Sequence, residues 1–261
     1  MQKRIQVAFE KNKKELLTIY YTAGFPNLND TLTIAQTLES AGADLIEIGI
    51  PFSDPIADGE VIQQSNMVAL QNGMSVSVLF EQLSQLRQHV SLPVLLMGYL
   101  NPILQYGIEN FCKKASEIGI DGLIIPDLPL EEYEQHYKSI FEQYHLAHVF
   151  LITPFTSPER IAKIDELSEG FIYMVSSASI TGKTQGISTE QKQYFERIAN
   201  MPLKTPKQIG FGIYDRSSFQ TACQYAQGAI IGSAFIKHLQ ANPSKTPLEL
   251  LVTQFVKEIK A

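Results

Sequence analysis

Eight short runs of apolar, β-branched or aromatic residues recur along this chain, each separated from the next by a longer amphipathic stretch. They are Leu17 to Thr22, Asp44 to Ile50, Pro93 to Tyr99, Gly122 to Pro126, Ala147 to Thr153, Phe171 to Val175, Lys207 to Gly212 and Ala229 to Gly232. Short runs of this kind with helical crossovers between them are the pattern of parallel strands covered on both faces. The intervening stretches carry ordinary helix starts. Asn29 and Asp30 precede the spacing of Leu32, Ile34, Ala35 and Leu38, Thr156-Ser157-Pro158-Glu159 opens a helix through Leu167, and Thr246-Pro247 opens the last one. A helix end, a glycine stop and a buried strand repeat at 40–46, 117–124 and 225–231.

Eight such units without an obvious sheet edge predict an α/β fold, a closed (β/α)8 TIM barrel, and the 261 residues match the typical length of about 250. An open doubly wound sheet is the competing arrangement. No Ser/Gly-rich linker or charge block divides the chain, so residues 1–261 are expected to form a single domain, with an extra amphipathic helix within Met1 to Leu17.

Hydrophobic residues at 44% supply a sizeable core, and a formal net charge of -6 gives no basic field to attract nucleic acid or anionic lipid. The longest apolar stretch, Leu92 to Leu100, is far below the roughly 20 residues of a membrane span. The early basic residues Lys3, Arg4, Lys11, Lys13 and Lys14 are interrupted by Glu10 and Glu15 and lead into no apolar signal core. A cytoplasmic protein without nucleic-acid or membrane partners is expected. Cys112 and Cys223 match no zinc or redox spacing and read as reduced, buried thiols.

Within the second run stands one carboxylate, Glu47, and the loop Pro51-Phe52-Ser53-Asp54-Pro55-Ile56-Ala57-Asp58-Gly59 follows at once. An ionised glutamate in a covered strand costs several kcal/mol of desolvation, so something must offset it. Period-two alternation places Leu45, Glu47 and Gly49 on one face and Ile46, Ile48 and Ile50 on the other. Glu47 thus lies near the C-terminal end of its strand, where barrel enzymes gather their functional groups, beside a glycine that leaves room for a ligand. Asp58 and Asp54 compete as the second carboxylate, and spacing alone does not separate them. An ordinary Asp-Gly turn is the simpler reading of Asp58.

Glycines recur after the late strands as Thr181-Gly182, Gly210-Phe211-Gly212 and Gly232-Ser233. Glycine lets backbone N–H groups approach an anion, and a short helix starting near Ser233 directs its positive end there, so a phosphorylated ligand is expected. Tyr20, Tyr21, Tyr99, Tyr173 and Phe211 cluster at strand ends. Singly each reads as core; together with Ile62 they line a flat pocket for an aromatic ring. The sixth run carries no lysine for a Schiff base, the five histidines are scattered, and no Gly-x-Gly-x-x-Gly follows the first strand. Imine, metal and nicotinamide chemistry lack a visible site. Acid–base work by carboxylates remains.

The stretch Leu45 to Gly59 resembles the signature of the tryptophan synthase α subunit family, and the likeness continues through Leu96-Met97-Gly98-Tyr99-Leu100-Asn101-Pro102, Ile125-Pro126-Asp127-Leu128-Pro129, Thr181-Gly182, Gly210-Phe211-Gly212 and Gly232-Ser233. The resemblance implies a TIM barrel and a lyase that cleaves indole-3-glycerol phosphate to indole and glyceraldehyde 3-phosphate, in tryptophan biosynthesis. It makes Glu47, Asp58 and Tyr173 the catalytic residues and Gly182, Gly212, Gly232 and Ser233 the phosphate cradle. Tyr20, Ile62, Tyr99, Thr181 and Phe211 become the indole pocket. Phe52, Asp54, Asp127 and Pro129 fall at the surface where the family docks a β subunit in an α2β2 heterotetramer, and pyridoxal phosphate is expected only in that partner. A weakly active regulatory subunit that activates the β subunit is the alternative function; a phosphosugar isomerase is a third, disfavoured by Asp58 beside an aromatic pocket. The segment from Ser176 to Gly182 departs from the family pattern by lacking its arginine and glycine, and Gly212-Ile213-Tyr214-Asp215 is likewise unusual, falling just beyond the phosphate contacts.

Overall fold

The computed structural model describes residues 3–11, 14–175, 188–210, 212–241 and 246–261. Among these, eight parallel strands close into a barrel in sequence order: β1 (Leu16–Thr22), β2 (Leu45–Gly49), β3 (Val94–Met97), β4 (Gly122–Ile124), β5 (Ala147–Ile152), β6 (Ile172–Val175), β7 (Lys207–Gly210) and β8 (Gly228–Ile231). Each lies within or one residue beyond an apolar run of the sequence. Pairing of β1 with β8 leaves no edge, so the open-sheet alternative is overturned.

The covering helices are α1 (Lys3–Lys11), α2 (Thr31–Ala41), α3 (Glu60–Gln71), α4 (Val76–Gln82), α5 (Leu86–His89), α6 (Leu100–Tyr106) and α7 (Ile108–Glu117). They continue as α8 (Leu130–Glu132), α9 (Lys138–Gln143), α10 (Pro158–Leu167), α11 (Thr189–Ala199), α12 (Arg216–Cys223), α13 (Ser233–Gln240) and α14 (Leu248–Lys260). Ser157 caps α10 through its hydroxyl, which accepts from Arg160 N, with Pro158 at the first helical position. Asp215, in the unusual Ile213-Tyr214-Asp215 segment, caps α12 by accepting from Ser218 N at 2.8 Å.

Two apolar cores follow from the alternation of each strand. Outward residues such as Ile46, Ile48 and Ile50 pack under the helices, whereas Leu16, Tyr20, Leu45, Leu95, Ile124, Val149, Tyr173 and Ile230 fill the barrel. The leading helix is shorter than the sequence suggests, because Leu16 and Leu17 already pair with Gly228 and Ala229 in the sheet. Its Ile5 and Phe9 join the interior core, Phe9 lying 5.9 Å from the Phe171 ring. Arg4 secures it by donating to Asp121 at 2.8 Å and to the Gly119 carbonyl at 3.0 Å. The helix therefore closes the N-terminal mouth of the barrel, leaving the other mouth for chemistry.

Gly42 and Gly119 end their helices with φ of +103° and +85°, as the repeat predicts. Gly228 does not: it is a strand residue, and a side chain there would overlap the Leu16 carbonyl. Cys112 and Cys223 are buried and free. Among the described residues no helix is long and apolar enough to cross a membrane.

Candidate active site

Glu47 points into the barrel from β2 and is fully buried, not a solvated residue on a poorly covered strand. Neither carboxyl oxygen has a hydrogen-bond partner among the described residues. Burial, and secondarily the Asp58 charge, push its carboxyl up to about 8. At neutral pH Glu47 is thus an acid holding its proton.

Asp58 lies in the β2–α3 loop, half-buried. The loop is shaped by Asp58 N donating to the Pro55 carbonyl at 3.0 Å and by Gln63 Nε2 donating to the Asp58 carbonyl at 2.8 Å. The Tyr99 hydroxyl accepts from Ala57 N at 3.0 Å and donates to the Asp58 carboxylate. Burial raises Asp58 to about 6, and the Tyr99 bond opposes that rise. Asp54, the competing carboxylate, is exposed and accepts instead from the Ser53 hydroxyl at 2.5 Å. Asp58 is therefore the partner of Glu47.

Two phenols enclose the pair. Tyr20 is the β1 register partner of Glu47, and Tyr173 projects inward from β6. Both are buried, and burial together with the Glu47 and Asp58 charges holds their phenols well above the usual range. Strand register puts Glu47, Ile124, Tyr173 and Ile230 in one interior layer, as alternate strands do in such barrels. The space beside Gly49 is not left for a ligand, as alternation suggests: a side chain there would overlap the Tyr20 hydroxyl. Gly210 makes the same room for the Tyr173 hydroxyl. Ile62, on the first turn of α3, is half-buried against the interior core, and the Phe52 ring lies 5.2 Å from that of Tyr99.

At the late strands, Gly212 is exposed with φ +76°, and Gly232 precedes α13, whose first residue is Ser233. The first N–H groups of α13 have no intrahelical acceptor and can face an anion. A side chain at Gly232 would crowd the Tyr20 ring at 3.1 Å, so this glycine keeps backbone and aromatic wall in contact. Thr181, Gly182 and Phe211, and the whole segment 176–187, lie outside the described residues. Asp54, Asp127 and Pro129 are exposed near this mouth, Asp127 accepting from Leu100 N at 2.9 Å. Among the described residues no group of three His, Cys, Asp or Glu side chains is placed to hold a metal.

Sequence reasoning missed the Thr22–Ser65 hydroxyl pair at 2.7 Å and the interior pair Thr18–Gln208, also at 2.7 Å. Alternation along β1 and β7 carries the signal for Thr18 and Gln208, since both share parity with inward-facing neighbours.

A family model described as tryptophan synthase alpha chain matches residues 6–260. The chain belongs to the tryptophan synthase alpha chain family. A curated alpha chain from Flavobacterium johnsoniae is 57% identical over 257 residues, 98% of this chain and 99% of the relative. One from Bacteroides thetaiotaomicron is 52% identical, covering 95% and 97%. Among solved structures, the tryptophan synthase alpha chain of Legionella pneumophila superposes with a TM-score of 0.88 at 33% identity, covering 100% of this chain and 96% of that one. A chain of the aminoacrylate-bound tryptophan synthase of M. tuberculosis gives 0.84 at 27% identity, covering 98% and 97%. The alpha chain family thus accounts for the barrel.

Proposed function

We infer that this chain is a carbon–carbon lyase carrying out the α reaction of tryptophan biosynthesis, the retro-aldol cleavage of indole-3-glycerol phosphate to indole and glyceraldehyde 3-phosphate. The observation that carries the reading is the pairing of a buried, proton-holding Glu47 with a lower-pKa Asp58 inside one aromatic-walled mouth. Each carboxyl then has its own task. Breaking the bond between indole C3 and the glycerol chain needs an electron sink, and protonation at C3 makes the ring an indolenine cation. Glu47, uncharged at neutral pH, delivers that proton. Asp58, ionised, accepts a hydrogen bond from the ring N–H and stabilises the cation.

Once Glu47 has given up its proton, it is a base beside the glycerol hydroxyl. It takes the hydroxyl proton as the carbonyl of glyceraldehyde 3-phosphate forms and the C–C bond electrons return to the ring, releasing indole. The carboxyl ends protonated, ready for the next turn. Tyr173, in the same barrel layer as Glu47, is assigned to orient the substrate between the two acids. Gly212 of the β7–α12 loop, and Gly232 and Ser233 at the start of α13, are assigned to the phosphate, together with Gly182. Tyr20, Ile62 and Tyr99 are assigned to the ring, with Thr181 and Phe211.

A β subunit is the proposed partner, in an α2β2 assembly, docking over Phe52, Asp54, Asp127 and Pro129; exposure of Asp54, Asp127 and Pro129 supports this. Pyridoxal phosphate is assigned to that partner. Residues 1–261 are treated as one catalytic domain, active in the cytoplasm. The test is indole release by the isolated chain and with the β subunit added. Glu47→Gln is expected to abolish release while substrate analogue still binds; undiminished turnover in that variant rejects the assignment. A parent chain silent in both conditions, yet stimulating the β reaction, would favour the regulatory alternative.

A further inference from the structure

Three buried side-chain atoms in the barrel interior lack a hydrogen-bond partner among the described residues: both oxygens of Glu47 and Nε2 of Gln208. The remaining atoms in this condition belong to Asn66 on α3, Gln82 on α4 and the outward-facing His148 of β5. Gln208 is fully buried, and its orientation is fixed because Thr18 Oγ1 donates to Gln208 Oε1 at 2.7 Å. With its oxygen engaged, the amide has only its two N–H donors left. Register puts Thr18, Leu95, Val149 and Gln208 in the layer next below that of Glu47, toward α1. A donor without an acceptor therefore lies one layer beneath an acceptor without a donor. Of the other members of these layers, Leu95, Ile124, Val149 and Ile230 offer neither, and the Tyr173 hydroxyl lies against Gly210 of β7.

Buried polar groups left in this state are ordinarily satisfied by an internal water that makes about three hydrogen bonds. We propose that one buried water bridges the Gln208 amide to the Glu47 carboxyl, making Gln208 a positioning residue for the acid that moves the protons, with Thr18 setting the direction of the amide. Accepting from Gln208 and donating to Glu47, the water favours the ionised carboxylate that must form after C3 is protonated. It also aims one oxygen of Glu47 downward and leaves the other for substrate. The titratable groups facing Glu47 are Asp58 from the β2–α3 loop, Tyr20 from β1 and Tyr173 from β6. All three persist in the variants below, so a change there reports the amide.

The inference rests on Glu47 as the proton-transferring acid. Indole release is measured from about pH 5 to pH 10, a range spanning both limbs of a bell-shaped profile, for the full parent chain, Gln208→Met and Thr18→Val. Gln208→Met is expected to move the basic limb of kcat/KM upward by about one pH unit, the size of one hydrogen bond to a charged group, with the acid limb and KM unchanged. Thr18→Val keeps the amide but frees it to turn, so the same limb moves the same way by less. A basic limb that stays put in both, with native melting curves, overturns the proposal; should Gln208→Met fail to fold, Thr18→Val decides alone. A parent chain that releases no indole rejects the role of Glu47 itself, a separate outcome. In a high-resolution crystal structure, water within hydrogen-bond distance of Gln208 Nε2 and a Glu47 oxygen is expected, and a dry interior overturns the bridge.

Discussion

The hydroxyl of Tyr99 bonds the backbone N–H of Ala57 at 3.0 Å. One phenol thereby holds both the backbone of the β2–α3 loop and the Asp58 side chain that follows it. Because the phenol donates to the ionised carboxylate, it keeps Asp58 below the value that burial alone would impose.

Tyr99→Phe is therefore expected to raise the Asp58 pKa from about 6. If ionised Asp58 stabilises the indolenine cation, the acid limb of kcat/KM moves to higher pH, by about half a unit to one unit for a lost phenol bond. The basic limb, set by Glu47, stays in place. A pH–rate profile of the variant checks both limbs at once, and movement of the basic limb alone would reverse the assignment of the two acids.

Gly49 and Tyr20 interlock, since a methyl group on the glycine would overlap the phenolic oxygen. Gly49→Ala forces the Tyr20 ring out of its place, and overpacking of this kind costs about 1–3 kcal/mol. Adding Tyr20→Phe removes the most closely overlapped atom but leaves the ring carbons at 2.6 and 2.8 Å, so the double variant is expected to recover only part of the loss seen in urea unfolding. Strict additivity of the two changes would show that the contact is not the cause.

Asp121, at the closed end of the barrel, accepts from Arg4 at 2.8 Å, Arg87 at 2.6 Å and Val94 N at 2.8 Å. Its carboxylate is nearly buried, while Arg87 also supplies the Val90, Leu92 and Gly119 carbonyls. Asp121→Ala leaves that guanidinium without its counter-charge and loosens α1, a loss of about 3 kcal/mol for a broken buried pair. Equilibrium unfolding measures it. Turnover per folded molecule is expected to hold, because the clamp lies at the opposite mouth from Glu47 and Asp58.

The barrel was legible because each strand is covered on both faces and each helix on one, so hydrophobic pattern and topology carry the same information. Glu47 was legible for the complementary reason: a lone carboxylate in such a run is a physical conflict, and the fold resolves it by placing the group at the site. Spacing did not separate Asp58 from Asp54; the family resemblance did, and in three dimensions Tyr99, from a different strand end, reaches one and not the other. The space beside Gly49 was misread because alternation gives the face of a residue but not the reach of its neighbour, and the Tyr20 side chain extends across from β1. Thr18 and Gln208 went unnoticed since their polarity is unremarkable until closure of the barrel brings β1 and β7 side chains into one layer.

Burial of Glu47 also links function to stability. Its folded-state pKa of about 8 lies above the ordinary 4.5, so the folded protein binds the proton more tightly than the unfolded chain does. Stability from this group is complete below the unfolded pKa and is lost as pH rises through the folded one. The gap between the two values corresponds to a ceiling of about 5 kcal/mol. Glu47→Gln keeps the shape without the ionisation and avoids that loss. Near pH 4.5 the two proteins should unfold at similar urea concentrations; the variant then becomes progressively more stable, and the difference levels off above about pH 8. Urea titrations at acid, neutral and alkaline pH test this. Equal midpoints at every pH would mean that Glu47 titrates normally in the fold, and that its part in proton transfer near neutrality must be taken by another group.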